Sequence, residues 1–139
     1  MYLLKTESSF DSAHFLSGYE GQCRNLHGHR WTVSAQICGE KLKEQGPLRG
    51  MVTDFSLFKD DLKKMTEVYD HALIVENGSL QEATMEAMRA ENFHVIIVPF
   101  RPTAENFAKH FYKLLEEAGY LVCEVAVFET PNNCAIYRE

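Results

Sequence analysis

Residues 29–40, HRWTVSAQICGE, alternate apolar and polar side chains. Trp31, Val33, Ala35 and Ile37 fall on one face; Thr32, Ser34, Gln36 and Cys38 fall on the other. A period of two marks a strand buried on one side. Just before it runs CRNLHGH, residues 23–29, in which Asn25 and Gly28 are turn residues. Upstream again, about Leu3 to His14 reads as a second, more ragged strand. The two pair antiparallel around the CRNLHGH loop, and EQGPLRG, residues 44–50, turns the chain away.

The pattern then changes period. In DFSLFKDDLKKMTEVYDH, residues 54–71, Phe55, Phe58, Leu62, Met65 and Tyr69 recur at helical spacing behind an Asp54 N-cap. A second helix is expected from Thr103 to Ala118, with an apolar stripe of Phe107, Phe111, Leu114 and Leu115. Pro102 and Thr103 mark its start and Gly119 its end. Two strands follow, YLVCEVAVFE (120–129) and CAIYR (134–138), joined by TPNN. This order predicts an α+β fold, an antiparallel sheet of four strands with both helices on one face. Between the helices, Ser79 and Glu82 form a capping-box pattern before ATMEAMRAE, and HVIIVPF suits a short extra strand.

A chain of 139 residues suits a single domain spanning 1–139. A net charge of −6 argues against a nucleic-acid partner or an anionic membrane. No apolar run reaches membrane-spanning length, and MYLLKTESSF turns polar too soon for a secretory signal, so a cytoplasmic setting is expected. The four cysteines, Cys23, Cys38, Cys123 and Cys134, show no C-x-x-C pair. In that setting a disulfide is not expected, and Cys38, Cys123 and Cys134 read as inert buried thiols.

The histidines carry the first chemical signal. His27 and His29 are two apart, so on an extended segment their imidazoles point the same way. The hairpin brings His14 beside them. Three neutral imidazoles with one open position describe a catalytic Zn²⁺ site. Taken alone, H-G-H is equally a polar turn. His94 and His110 receive no role.

Other groups surround that signal. Cys23, next to Arg24, is either an activated thiol or an inert one. Asp70 beside His71 is either a carboxylate-oriented acid–base pair or a solvated helix end. Glu129 closes an apolar strand, where it either points into water or accepts two N–H bonds from a guanidine-like ring edge. Glu105, in the first turn of a helix, is explained by the helix dipole alone.

Six stretches converge on one family: FDSAHFL, CRNLHGHRW, GMVTDFSLFK, YDHALI, PTAENFAKHFY and VFETPNNCAIY. In order and spacing the chain resembles the 6-pyruvoyl-tetrahydropterin synthase / 6-carboxy-tetrahydropterin synthase family nearly end to end. The spacing C-x-x-x-H-G-H looks like the 6-carboxy branch of queuosine biosynthesis; the 6-pyruvoyl branch usually has a longer gap. A folate-related branch places a glutamate near the cysteine position, against which Cys23 argues.

The resemblance implies the tunnelling T-fold, with three subunits closing a barrel, two trimers stacking as a homohexamer, and active sites between subunits. It implies Zn²⁺ on His14, His27 and His29, and Cys23 as general base assisted by Asp70 and His71. Glu129 would anchor the pterin, with Thr103 and Glu105 lining the site. The implied substrate is 7,8-dihydroneopterin triphosphate, and the product 6-carboxy-5,6,7,8-tetrahydropterin. The other outcomes are a 6-pyruvoyl product or a non-catalytic T-fold pterin-binding protein. Lys5, Arg24, Arg30 and Arg101 are candidates for the triphosphate. The segment between His71 and Pro102 is longer than the family's usual loop.

Overall fold

The computed structural model describes residues 1–139. Two long strands, β1 (Tyr2–His14) and β2 (His27–Gly39), pair antiparallel along their whole length. A one-turn 3₁₀ helix, Gln22–Arg24, lies in the connection between them. Downstream come α1 (Phe55–Glu67), β3 (Ala72–Glu76), α2 (Glu82–Ala90), β4 (Val95–Val98), α3 (Ala104–Glu117), β5 (Val122–Thr130) and β6 (Asn133–Tyr137). They build one six-stranded sheet in the order β4-β3-β1-β2-β5-β6.

The four-stranded antiparallel part, β1-β2-β5-β6, is the sheet expected from the alternating patterns. Trp31, Val33, Ala35 and Ile37 are buried on one face of it. Against that face pack Phe58 and Leu62 of α1 and Phe107, Phe111 and Leu115 of α3. Asp54 caps α1 by accepting the Ser56 N–H at 2.7 Å. Thr103 caps α3 through the Asn106 N–H at 3.3 Å, and Gly119, at φ +92, ends that helix in the left-handed region.

The middle of the chain adds what periodicity left loose. ALIVE becomes β3, which pairs parallel to β1, and β4 pairs parallel to β3. The sheet is therefore mixed. ATMEAMRAE forms α2, but the expected Ser79 capping box does not. Gln81 is the N-cap, without a side-chain capping bond, and the Ser79 N–H bonds to Glu76 O in a turn.

The cysteine expectation needs a larger correction. Cys38 and Cys123 form a disulfide across adjacent strands, with Cα atoms 5.9 Å apart. Gln36 faces Glu124 while Ile37 faces Val122, so Cys123 is an extra residue in β5 and is offset by that bulge. Nor is Cys134 buried: it is exposed on β6, the edge strand. The bridge closes a loop of 85 residues. Cys38→Ser should cost about 2–4 kcal/mol of stability by shortening no contact but loosening the unfolded chain's constraint. Urea unfolding of parent and variant checks this. If reductant leaves the parent's midpoint unchanged, the bridge contributes nothing.

Candidate active site

The β1–β2 hairpin does for the histidines what register dictates. His14 faces His27 and Ser12 faces His29 across the ladder, so all three imidazoles gather at one end of the pair. Their ligand atoms lie within 4.8 Å of one another. Trp31 floors the cluster, its ring centroid 4.9 Å from that of His14 and 5.5 Å from that of His29.

The hydrogen bonds around the cluster decide its chemistry. His14 Nδ1 donates to Pro102 O at 2.7 Å, and His27 Nδ1 donates to Asn25 O at 2.7 Å. In the neutral form each ring then carries its proton on Nδ1 and presents a lone pair at Nε2. Those two Nε2 atoms stand 3.1 Å apart, with no proton to share. His29 Nε2 is buried without a hydrogen-bond partner. Three converging nitrogens, two of them carbonyl-oriented, are the donor set of a metal site, and the residues present fit a divalent cation such as Zn²⁺.

Burial pushes the His14 imidazole down to about 4. Burial also lowers His29, opposed by the Glu129 charge, and lowers His110, whose Nε2 meets Tyr69 Oη at 2.7 Å. Neutral rings at ordinary pH suit ligation. The sign for stability follows. An unfolded histidine takes up its proton near pH 6.5; the folded His14 waits until about 4. Metal-free protein therefore loses stability as pH falls through that window, by roughly 3 kcal/mol from His14. Above pH 6.5 this contribution is constant. Thermal melts of chelator-treated protein between pH 7.5 and 4.5 check it.

Glu129 sits in a second bulge. Phe128 pairs with Cys134 and Thr130 with Asn133, leaving Glu129 as the extra residue of β5. It continues the inward face of Val125 and Val127, and its Oε1 lies 3.4 Å from His14 Nε2 and 3.5 Å from His29 Nε2.

Cys23, on the 3₁₀ turn, is half-buried and free. It lines a cavity of about 410 Å³ together with Thr103, Glu105 and Glu129, and with Arg101 and Cys134. Thr103 is present there as the cap of α3.

Asp70 and His71 lie elsewhere. They occupy the turn between α1 and β3, with His71 at φ +54, a left-handed backbone that a non-glycine residue adopts at a cost. Two bonds to Asp11 hold it there: Asp11 N–H to Asp70 Oδ1 at 2.8 Å, and His71 N–H to Asp11 O at 2.7 Å. Asp70 Oδ2 accepts from His71 Nδ1 at 2.8 Å. The Asp11 N–H and the His71 ring together hold the Asp70 carboxyl below the usual range. Arg30 forks onto the Asp11 carboxylate at 2.9 and 3.1 Å. His71 is largely exposed and lines a cavity of about 690 Å³ that also borders His29 of the cluster, with Asp11, Arg30, Leu26, Phe93 and His94. A single chain thus groups Cys23 with Glu129, and places His71 on another cavity.

Sequence reasoning missed several partners. Asn25 and Pro102 act through backbone carbonyls, which no side-chain pattern announces. Asp11, and its pairing with Arg30, was reachable: once His14 faces His27, the ladder puts Asp11 opposite Arg30.

The family model for 6-pyruvoyl tetrahydropterin synthase matches residues 3–139. The chain belongs to the 6-pyruvoyl tetrahydropterin synthase family. Within it, the chain is 34% identical to the 6-carboxy-5,6,7,8-tetrahydropterin synthase of Haemophilus influenzae, over 100% of both chains. It is 36% identical to the enzyme of the same name from Rickettsia bellii, over 88% of this chain and 90% of that one. Among solved structures, a protein of Wolinella succinogenes superposes with a TM-score of 0.78 at 23% identity, covering 99% of this chain and 98% of that one. The 6-pyruvoyl tetrahydropterin synthase of Plasmodium vivax gives a TM-score of 0.72 at 23% identity, covering 99% and 97%. These two show the shared fold, which is the T-fold expected from the motifs.

Proposed function

We propose that this family member is a zinc-dependent carbon–carbon lyase of queuosine biosynthesis. It converts 7,8-dihydroneopterin triphosphate and one water to 6-carboxy-5,6,7,8-tetrahydropterin, acetaldehyde and triphosphate. The observation that carries the reading is the convergence of His14, His27 and His29, with two lone pairs 3.1 Å apart and no donor between them. The C-x-x-x-H-G-H spacing and the names of the relatives support the 6-carboxy branch.

His14, His27 and His29 would hold Zn²⁺, which supplies Lewis acidity to the substrate's side-chain hydroxyls and so acidifies a neighbouring C–H. Glu129 would accept two N–H bonds from the pterin's guanidine-like edge. Thr103 and Glu105 would line the ring's cavity. Cys23 would take the side-chain proton as general base, and His71, oriented by Asp70, would move a proton on the opposite face. Cys23 and His71 line different cavities of one chain. The family resemblance implies a site shared between subunits, in which Cys23 would meet the partner subunit's His71 within a homohexamer. No helix is long and apolar enough to cross a membrane.

Incubation of zinc-loaded protein with dihydroneopterin triphosphate tests the reading. Mass analysis should find a carboxylated pterin and acetaldehyde. A pyruvoyl pterin without carbon loss would assign the chain to the 6-pyruvoyl activity instead. Unconsumed substrate would point to a non-catalytic pterin-binding protein.

A further inference from the structure

A histidine lone pair and a carboxylate oxygen repel unless a cation or a proton lies between them. His14 Nε2 is such a lone pair, because the proton of that ring is committed to Pro102 O. Glu129 Oε1 nevertheless stands 3.4 Å from it and 3.5 Å from His29 Nε2. These separations are long for a hydrogen bond, which runs about 2.7–3.2 Å. They match the edge of a tetrahedron. With metal–ligand bonds of about 2.0–2.1 Å, two ligands of a tetrahedral zinc lie roughly 3.3–3.4 Å apart. The His14–His27 separation of 3.1 Å is of the same kind.

Two further observations bear on the carboxylate. Glu129 is the unpaired extra residue of the β5 bulge, and its carboxylate reaches the cluster. No backbone or side-chain hydrogen bond within the chain holds it there, and its two recorded polar contacts are both imidazoles. Cys23, the other acceptor nearby, lies outside the three-histidine group, as Glu129 itself does, so the carboxylate meets the His14–His29 edge and not His27.

We infer that Glu129 is a fourth, exchangeable metal ligand in the pterin-free protein, entering at the His14–His29 edge, and that pterin binding withdraws it. The inference rests on the proposed function only for the pterin. The ligation itself stands on the distances. A carboxylate that gives both oxygens to a guanidine-like edge has none left for the metal. Binding of the ring therefore opens the coordination position that the substrate's hydroxyls require. The metal stays closed to water and stray ligands until the right ring system has arrived. Such coupling is reciprocal: the pterin should loosen the metal by the factor by which the metal loosens the pterin.

Cobalt(II) in place of zinc makes the coordination visible, since its visible absorption depends on ligand number and type. Parent, Glu129→Gln and Glu129→Ala are compared by spectrum and by chelator competition, with and without unsubstituted pterin, which lacks hydroxyls to ligate. The parent's spectrum should change on adding pterin, with metal affinity falling. Glu129→Gln should show an altered spectrum without pterin, no further change with it, and metal affinity reduced by ~10-fold or more. The parent measured with and without pterin needs no variant to fold. Identical cobalt spectra and affinities in parent and variants overturn the inference, whatever the pterin does. Loss of pterin binding in that same case would leave Glu129 as an anchor alone. Pterin binding unchanged in variants with weakened metal would sink the anchor role while upholding the ligand.

Discussion

Cys23→Ala should reduce turnover of dihydroneopterin triphosphate by about 10²–10⁴-fold, the usual contribution of a positioned acid–base group, while the metal content stays at that of the parent. The two readouts separate because Cys23 lies on the 3₁₀ turn, outside the histidine cluster. Its thiol lines the cavity that Glu129 and Thr103 also line. It is half-buried, so its removal opens no large core cavity and the fold should survive. Cys134 borders the same cavity and is a second free thiol. Cys134→Ala is therefore the informative control, expected to keep turnover within a few-fold. Full activity in Cys23→Ala would remove Cys23 from the proposed chemistry.

His27→Ala should be the most damaging change to metal retention. It deletes one of three nitrogens and leaves His14 Nε2 facing a void where its neighbour stood at 3.1 Å. Changes to groups behind the ligands cost about 10–100-fold in affinity, and loss of a ligand should exceed that. Elemental analysis after gel filtration should fall from about one zinc per chain to almost none, with activity lost in proportion. Because His27 is only partly buried, circular dichroism should report an intact fold. The same substitution at His14 would be ambiguous, since His14 is fully buried and also ties β1 to the loop before α3 through Pro102 O. Equal metal in His27→Ala and parent would refute the ligand assignment.

What could be read from the residues divides along a physical line. Trp31, Val33, Ala35 and Ile37 declared their burial because a strand with one wet face must alternate. The caps at Asp54 and Thr103 declared the helices because exposed N–H groups need an acceptor. Both are local effects. The histidine cluster was legible because the hairpin makes a contact of thirteen residues' separation nearly local as well. The bridge between Cys38 and Cys123 was not, because it depends on a bulge 85 residues away from its partner. Strand β3 was hidden for a related reason. ALIVE is a short apolar run that follows a helix after one turn, and nothing in five residues says it will pair parallel with β1. The division of Cys23 and His71 between two cavities is a property of the folded chain that residue types alone cannot carry.

The disulfide has a mechanical side. Strands β2 and β5 carry His27, His29 and Glu129 beyond one end of their shared ladder, which starts at Thr32 and Phe128, and the Cys38–Cys123 bridge at the other end. Pinned by a covalent bond at the heel, the pair can open only at the tips, as tweezers do. The tips are where Glu129 faces the imidazoles. Motion that would elsewhere spread along the ladder is steered to the one place where a carboxylate has to change partners. Amide exchange along β5 should accordingly quicken toward Glu129 while the bridge is intact, and even out once it is reduced.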